Sequence, residues 1–123
     1  MRLTENFSKS EFDSKDGSEM PEDVLQNIQK LANNLQVLRN RLNAPIKINS
    51  GYRSPSHNKA VGGAERSQHV LGKASDIVVR GYTPKQVAEE IEKLIKSGDM
   101  LQGGLKAYNT FTHYDIRKTK ARW

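Results

Sequence analysis

The chain has only three histidines, at positions 57, 69 and 113. His69 stands in "SQHVLGKASD", seven residues before Asp76, with Gly72 between them and the apolar run Ile77-Val78-Val79 behind. His113 stands in "FTHYDIR". Two imidazoles and one carboxylate make a three-ligand zinc set, with a fourth position left for water. Nitrogen and oxygen donors without thiolate suit a catalytic site better than a structural one. A zinc ion so held lowers the pKa of water to roughly 7 and polarises a carbonyl oxygen. Spacing alone also fits a His69 that caps a turn and an Asp76 that pairs with a lysine.

The elements must bring these residues together. Seven residues on a helix would share a face, but Ser75 to Val79 is β-like and Gly72 favours a turn. The stretch therefore predicts a strand, a tight turn and a strand, a hairpin that sets His69 beside Asp76. Alternation in a last strand puts His113, Asp115 and Arg117 on one face and Thr112, Tyr114 and Ile116 on the other. The clearest helix is predicted over 21–42, where Val24, Leu25, Ile28, Leu31, Leu35, Leu38 and Leu42 recur at helical spacing behind Pro21, Glu22 and Asp23. "IKINSGYR", 46–53, alternates as a half-buried strand. A Gly/Ser-rich loop without a period follows over 54–68. A second strand is expected over 73–79. A helix over 83–97 starts at Thr83-Pro84 and buries Val87, Ile91, Leu94 and Ile95. "GGLKAY" and "FTHYDIR" read as a closing strand pair, joined near Asn109-Thr110. Residues 1–20 read as a polar arm anchored by Leu3, Phe7 and Phe12, and 118–123 as a basic tail. The pattern predicts one small α+β domain, with an antiparallel sheet, helices packed on it and the zinc site on the sheet.

Composition bounds the function. With 123 residues and no cysteine, neither a disulfide scaffold nor a thiolate zinc finger is available. No run is apolar enough to span a membrane. The start, MRLTENFSKSEF, lacks the core of a secretory signal. Synthesis in the cytoplasm is expected. The net charge of +6 and pI near 9.7 suit an anionic partner, whether nucleic acid, acidic lipid or a cell-wall polymer, or simply a soluble basic surface.

"SQHVLGKASD" resembles the S-x-H-x-x-G-x-A-x-D signature of the zinc peptidoglycan peptidases. These are the D-alanyl-D-alanine carboxypeptidases and dipeptidases and the L-alanyl-D-glutamate endopeptidases. Ser67, His69, Gly72, Ala74 and Asp76 all match, and "INSGYRSPSHNKAVGGAERSQH" and "FTHYDIR" are similar to the family as well. The resemblance covers about residues 3–117 and is nearest to the short branch common in phages and prophages. It implies zinc as cofactor and His69, Asp76 and His113 as its ligands. It implies that Arg53, sixteen residues before His69, meets a substrate carbonyl or carboxylate. A guanidinium stays charged and offers a fork of donors for that task. Arg53 also fits an ordinary surface arginine after a strand. Ser67, Asn58 and Tyr108 are expected to bind substrate. His57 either lines the groove beside Asn58 or packs in its loop.

One position departs from the family. Better-known members carry an acidic general base three residues before the last histidine, where this chain has Thr110. Asp115 is the nearest replacement, either as the base or as the group that orients His113. The reading is a monomeric zinc peptidase acting on peptidoglycan stem peptides, reaching the wall after release or delivery. It is D-Ala-D-Ala carboxypeptidase-like or endolysin-like. A zinc-binding but inactive phage structural domain is the alternative that Thr110 suggests. A nucleic-acid module is suggested only by the charge and "RKTKARW".

Overall fold

The strongest periodic stretch forms the longest element. In the computed structural model, which describes residues 1–123, helix α1 spans Glu22–Leu42. Glu22 and Asp23 lie at its positive end, and Arg39 and Arg41 in its last turn. It stops at Asn43, whose φ of 48° is left-handed, just before Pro45. Its buried stripe is Val24, Ile28, Leu31, Leu35, Leu38 and Leu42, with Leu25 at the edge. After β1 (Ile46–Ser50), α2 (Pro55–Ala60) and β2 (Ala74–Val79), the third helix, α3, spans Pro84–Lys96. It opens with a capping box between Thr83 and Gln86 and buries Val87, Ile91 and Leu94. Strands β3 (Leu105–Ala107) and β4 (Thr112–Asp115) close the chain.

All four strands run antiparallel in the order β1-β2-β4-β3. The sheet divides its work between faces. Ile46, Ile48, Ile77, Val79, Leu105 and Tyr114 join the stripes of α1 and α3 in one apolar cluster. The Tyr114 hydroxyl is satisfied there by the Leu101 carbonyl at 2.7 Å. Alternate residues, Asp76 on β2 and His113 and Asp115 on β4, point to the other face. The expected α+β architecture with its His/Asp/His cluster on the sheet is what the chain forms. No helix is long and apolar enough to cross a membrane.

Three local expectations are corrected. The strand over 46–53 ends at Ser50. The loop over 54–68 contains α2, too short to show a period but signalled by Ser54-Pro55. The Ser54 hydroxyl caps it by accepting from the His57 N–H at 3.1 Å. His69 is not on a hairpin strand. Residues 67–72 form consecutive turns, with N–H groups of Val70, Leu71 and Gly72 donating to carbonyls of Ser67, Gln68 and His69. Gly72 explains the turn: its φ is +74°, and a Cβ there would lie 2.6 Å from Val24 Cγ1 and 2.8 Å from the Val24 carbonyl. The turn thus rests directly on α1.

The N-terminal residues pack onto the domain through one turn. A 3-10 turn, Lys9–Phe12, buries Phe12 beside Phe7, and the Phe12 carbonyl accepts from the Tyr52 N–H at 2.8 Å. Asp16 accepts from the Ser14 and Ser54 hydroxyls at 2.7 and 2.6 Å, which fastens the arm to the start of α2. Those hydrogen bonds hold the Asp16 carboxyl below the usual carboxylate range.

Candidate active site

Sheet register does most of the assembly. Asp76 on β2 lies directly opposite His113 on β4. On its other side, the β1 pairing slips by one residue between Ile48 and Ser50, so Ser50 rather than Asn49 stands opposite Asp76. Such a slip re-aims a side chain, and Ser50 Oγ accepts from Arg53 Nε at 3.2 Å. The turn over 67–72 supplies His69. Asp76 Oδ2 is 3.3 Å from His69 Nε2 and Oδ1 is 3.1 Å from His113 Nδ1. One donor atom from each of the three residues lies within 4.8 Å of the others, and all three residues are buried.

The ring tautomers are set from behind. His69 Nδ1 is 2.8 Å from the Gly51 carbonyl, which can only accept, so Nδ1 carries the proton and Nε2 keeps its lone pair. His113 Nε2 is 2.7 Å from Asp115 Oδ2, so there Nε2 carries the proton and Nδ1 keeps the lone pair. Two lone pairs and a carboxylate then face one another across about 3 Å. They repel unless a cation or protons lie between them. This donor set fits a divalent metal ion, with each histidine oriented by an outer partner as metal-binding histidines ordinarily are. Where protons rather than a cation fill that gap, burial opposes charge on Asp76, yet the hydrogen bonds and charge of the His113 and His69 rings hold its carboxyl below the usual range. Burial likewise opposes charge on His113, and Asp115 and Asp76 together raise it above the ordinary histidine value.

Asp115 is fully buried and does not line the groove in front of the site. Its oxygens accept from His113 Nε2, from the backbone N–H groups of Gly104 and Arg117, and from Arg117 Nε and an Arg117 terminal NH₂. Five donors leave it no free face. The reading of Asp115 as a base that meets water is corrected by this placement, and the ring-orienting alternative is the one the geometry matches. Thr110 is exposed in the turn between β3 and β4 and does not line the groove.

The groove has a volume of about 790 Å³. Its walls are residues 61–64 and 66–69, Arg53, Tyr108, Phe111, Arg117 and Trp123, and Asp76 is the only carboxylate lining it. Arg53 lines it with its head held on three sides, by Ser50 Oγ, by Asn58 Oδ1 at 3.3 Å and by Asp76 Oδ2 at 3.5 Å. It is no ordinary surface arginine. Asn58 is buried behind Arg53, its amide donating to the Ala64 carbonyl at 2.8 Å, so the expected groove contact is replaced by support of the arginine. Ser67 lines the groove, but its hydroxyl accepts from the His69 N–H at 3.1 Å. Tyr108 lines the groove. His57 lies on α2, outside the groove.

Three contributors escaped the sequence reading. Arg117 pins Asp115 with both ends of its guanidinium. Gly104 brings its backbone so close to that carboxylate that any side chain would collide with it. Trp123 lays its ring edgewise on His113, with centroids 5.2 Å apart. The Gly103-Gly104 pair ahead of a strand was the one readable signal, since paired glycines there mark a close approach. Nor is 118–123 a free tail: Ala121 bridges to Gly104, and Arg122 pairs with Glu92 at 2.7 Å.

The profile of the peptidase M15 family matches residues 3–115. The chain belongs to the peptidase M15 family. Within this M15 chain the match takes in His69, Asp76, His113 and Asp115 and stops before the tail. Among solved structures, the Serratia marcescens L-Ala D-Glu endopeptidase ChiX is similar in fold. It aligns with a TM-score of 0.51 at 17% identity, over 79% of this chain and 88% of that one. No curated protein matches the chain in sequence.

Proposed function

We propose that the protein is a zinc-dependent peptidase that hydrolyses an amide bond in peptidoglycan stem peptides. The observation that carries this reading is the pair of histidine lone pairs, each fixed by an outer hydrogen bond, facing Asp76 at the floor of a groove. Membership of a peptidase family supports it, as does the fold shared with an endopeptidase whose name specifies L-Ala and D-Glu. His69 Nε2, Asp76 and His113 Nδ1 would hold zinc. When bound, the metal activates water and polarises the scissile carbonyl. The chain's own residues do the rest. Asp115 and the Gly51 carbonyl hold the two rings in register. Arg53, buttressed by Ser50 and Asn58, offers its fork to a substrate carbonyl or carboxylate. Ser67 keeps the His69 turn in shape. Two groove arginines, Arg53 and Arg66, suit an anionic substrate.

A second reading has one observation behind it. With Thr110 exposed and Asp115 enclosed, Asp76 is the only carboxylate in the groove. That favours a domain that binds zinc and the wall without turnover. A nucleic-acid role is weaker than the charge suggests, because Arg117 and Arg122 are already paired with Asp115 and Glu92.

The test is zinc content together with mass spectrometry of digested peptidoglycan. Stoichiometric zinc with cleaved stem peptides is expected. Loss of single alanines marks a carboxypeptidase, and longer released fragments an endopeptidase. Zinc without any cleavage establishes the second reading, and no zinc at all sinks both.

A further inference from the structure

The C-terminal segment was the motif with no assigned task. Its last turn is latched in place. The Arg122 guanidinium reaches both Glu92 oxygens, at 2.8 and 2.7 Å, and the Gly103 carbonyl at 2.6 Å. The latch sets Trp123 on the groove wall, where its Nε1–H donates to the Tyr108 hydroxyl oxygen at 3.0 Å. The Tyr108 ring is fixed from its other side by stacking on Phe111, with centroids 4.6 Å apart and planes 17° apart.

An indole N–H only donates, whereas a phenol both donates and accepts. With its oxygen accepting from Trp123, Tyr108 has its own O–H left to give, and Tyr108 lines the groove. We propose that Tyr108 is a hydrogen-bond donor to the scissile carbonyl as negative charge develops on it, and that Trp123, set by the Arg122–Glu92 latch, is the positioning residue that keeps the Tyr108 hydroxyl turned to this task. The inference rests on the peptidase reading above and gives the groove a neutral donor beside Arg53. A preorganised donor of this kind acts chiefly in the transition state.

The test uses Tyr108→Phe, Trp123→Phe and the double variant in the full chain loaded with zinc. Turnover of a stem peptide is measured beside binding of a non-cleavable analogue. Binding is followed by calorimetry, because Trp123 is the sole tryptophan and is lost in two of the variants. Tyr108→Phe should lower kcat about 100-fold, the usual scale for one oxyanion donor, with analogue affinity and zinc content within about twofold. Trp123→Phe keeps the ring against His113 and should lower kcat about 10-fold. The double variant should be no slower than Tyr108→Phe, because a positioning residue has nothing to position once its target is gone. Wild-type kcat in Tyr108→Phe overturns the donor role. Losses that multiply in the double variant overturn the positioning role. A wild type that binds the analogue but never cleaves it refutes the peptidase reading, and the donor role with it. In that event Tyr108→Phe would leave affinity unchanged, so a tenfold weaker variant would instead mark Tyr108 as a ground-state binding residue.

Discussion

The two histidines of the site are held by opposite means. His69 rides on a turn, and its ring is fixed by the Gly51 carbonyl, a neutral acceptor that no substitution can delete. His113 rides in the middle of a sheet, and its ring is fixed by Asp115, a buried charge anchored by Arg117 and Gly104. The turn needs help that the strand does not. Gly72 must adopt φ +74° against Val24, and Ser67 must cap the His69 N–H. The strand position needs only register, since pairing with Asp76 follows from the antiparallel ladder. The turn is therefore vulnerable through packing, and the strand through electrostatics.

The largest effect should come from the ligands themselves, where the two halves meet. Alanine at His69, Asp76 or His113 should each abolish stoichiometric zinc, since two remaining donors cannot close the site. Elemental analysis after dialysis checks this, and a His69→Ala protein that still carries one zinc would break the assignment.

Next in size is Gly72→Ala, which attacks the His69 side through packing. A left-handed φ costs an alanine about 1 kcal/mol, and crowding against Val24 adds about 1–3 kcal/mol. At about 3 kcal/mol in total, the melting temperature should fall by roughly 10 °C. Zinc affinity should fall with it, because α1 can yield only by moving the turn. Thermal melts of the zinc-free and zinc-loaded protein separate the two effects. An unchanged melt would mean that the turn does not rest on α1 as described.

Asp115→Asn probes the His113 side. The amide keeps the shape but loses the charge that Arg117 and the ring N–H share. Losing such an outer partner ordinarily costs a metal site about 10–100-fold in affinity. A competition titration with a chromophoric chelator reads it directly. Zinc affinity at the wild-type level would deprive Asp115 of its positioning role.

The same contrast explains what was legible in the sequence. Periodic stripes announced α1 and α3, and alternation announced which face of β4 carries His113 and Asp115. Those are local regularities, enforced by burial on one side. Residues 67–72 misled because Gly72 supports either a hairpin turn or a run of turns. What decides between them is contact with Val24, more than forty residues away in the chain. Asp115 was ambiguous for a similar reason. Same-face spacing placed it near His113 but could not show that Arg117 and Gly104 enclose it. The cluster of His69, Asp76 and His113 was expected from the resemblance to known peptidases, whereas its spacing alone also fitted a capped turn. Trp123 was invisible as a site residue, because contacts distant in sequence, the Arg122–Glu92 pair and the Ala121 bridge among them, fold it back.

That latch carries the smallest effect and has a pH signature. The hydrogen bond from Arg122, against a smaller opposing effect of burial, lowers the Glu92 carboxyl below its ordinary value of 4.5. A carboxyl whose folded value is depressed contributes stability above its unfolded value and loses it as the pH falls through the folded one. The latch is therefore whole at neutral pH and opens only below about 4.5. The pair is partly exposed, and ion pairs open to solvent contribute about 0.2–1 kcal/mol, so Glu92→Gln should lower the melting temperature by only a few degrees. Its clearer mark is optical. Trp123 is the sole tryptophan, so its emission reports the position of the tail. Protonation of His113, whose ring lies 5.2 Å from the indole, also alters that emission, and Glu92→Gln supplies the control because it shares the histidine response. Wild type and variant should differ at pH 7 and converge as the pH falls through the depressed Glu92 value. Identical emission across the range would show that Arg122 is not held by Glu92 in solution, and that the Ala121 bridge, the Gly103 carbonyl and the Trp123–Tyr108 hydrogen bond secure the wall beside His113.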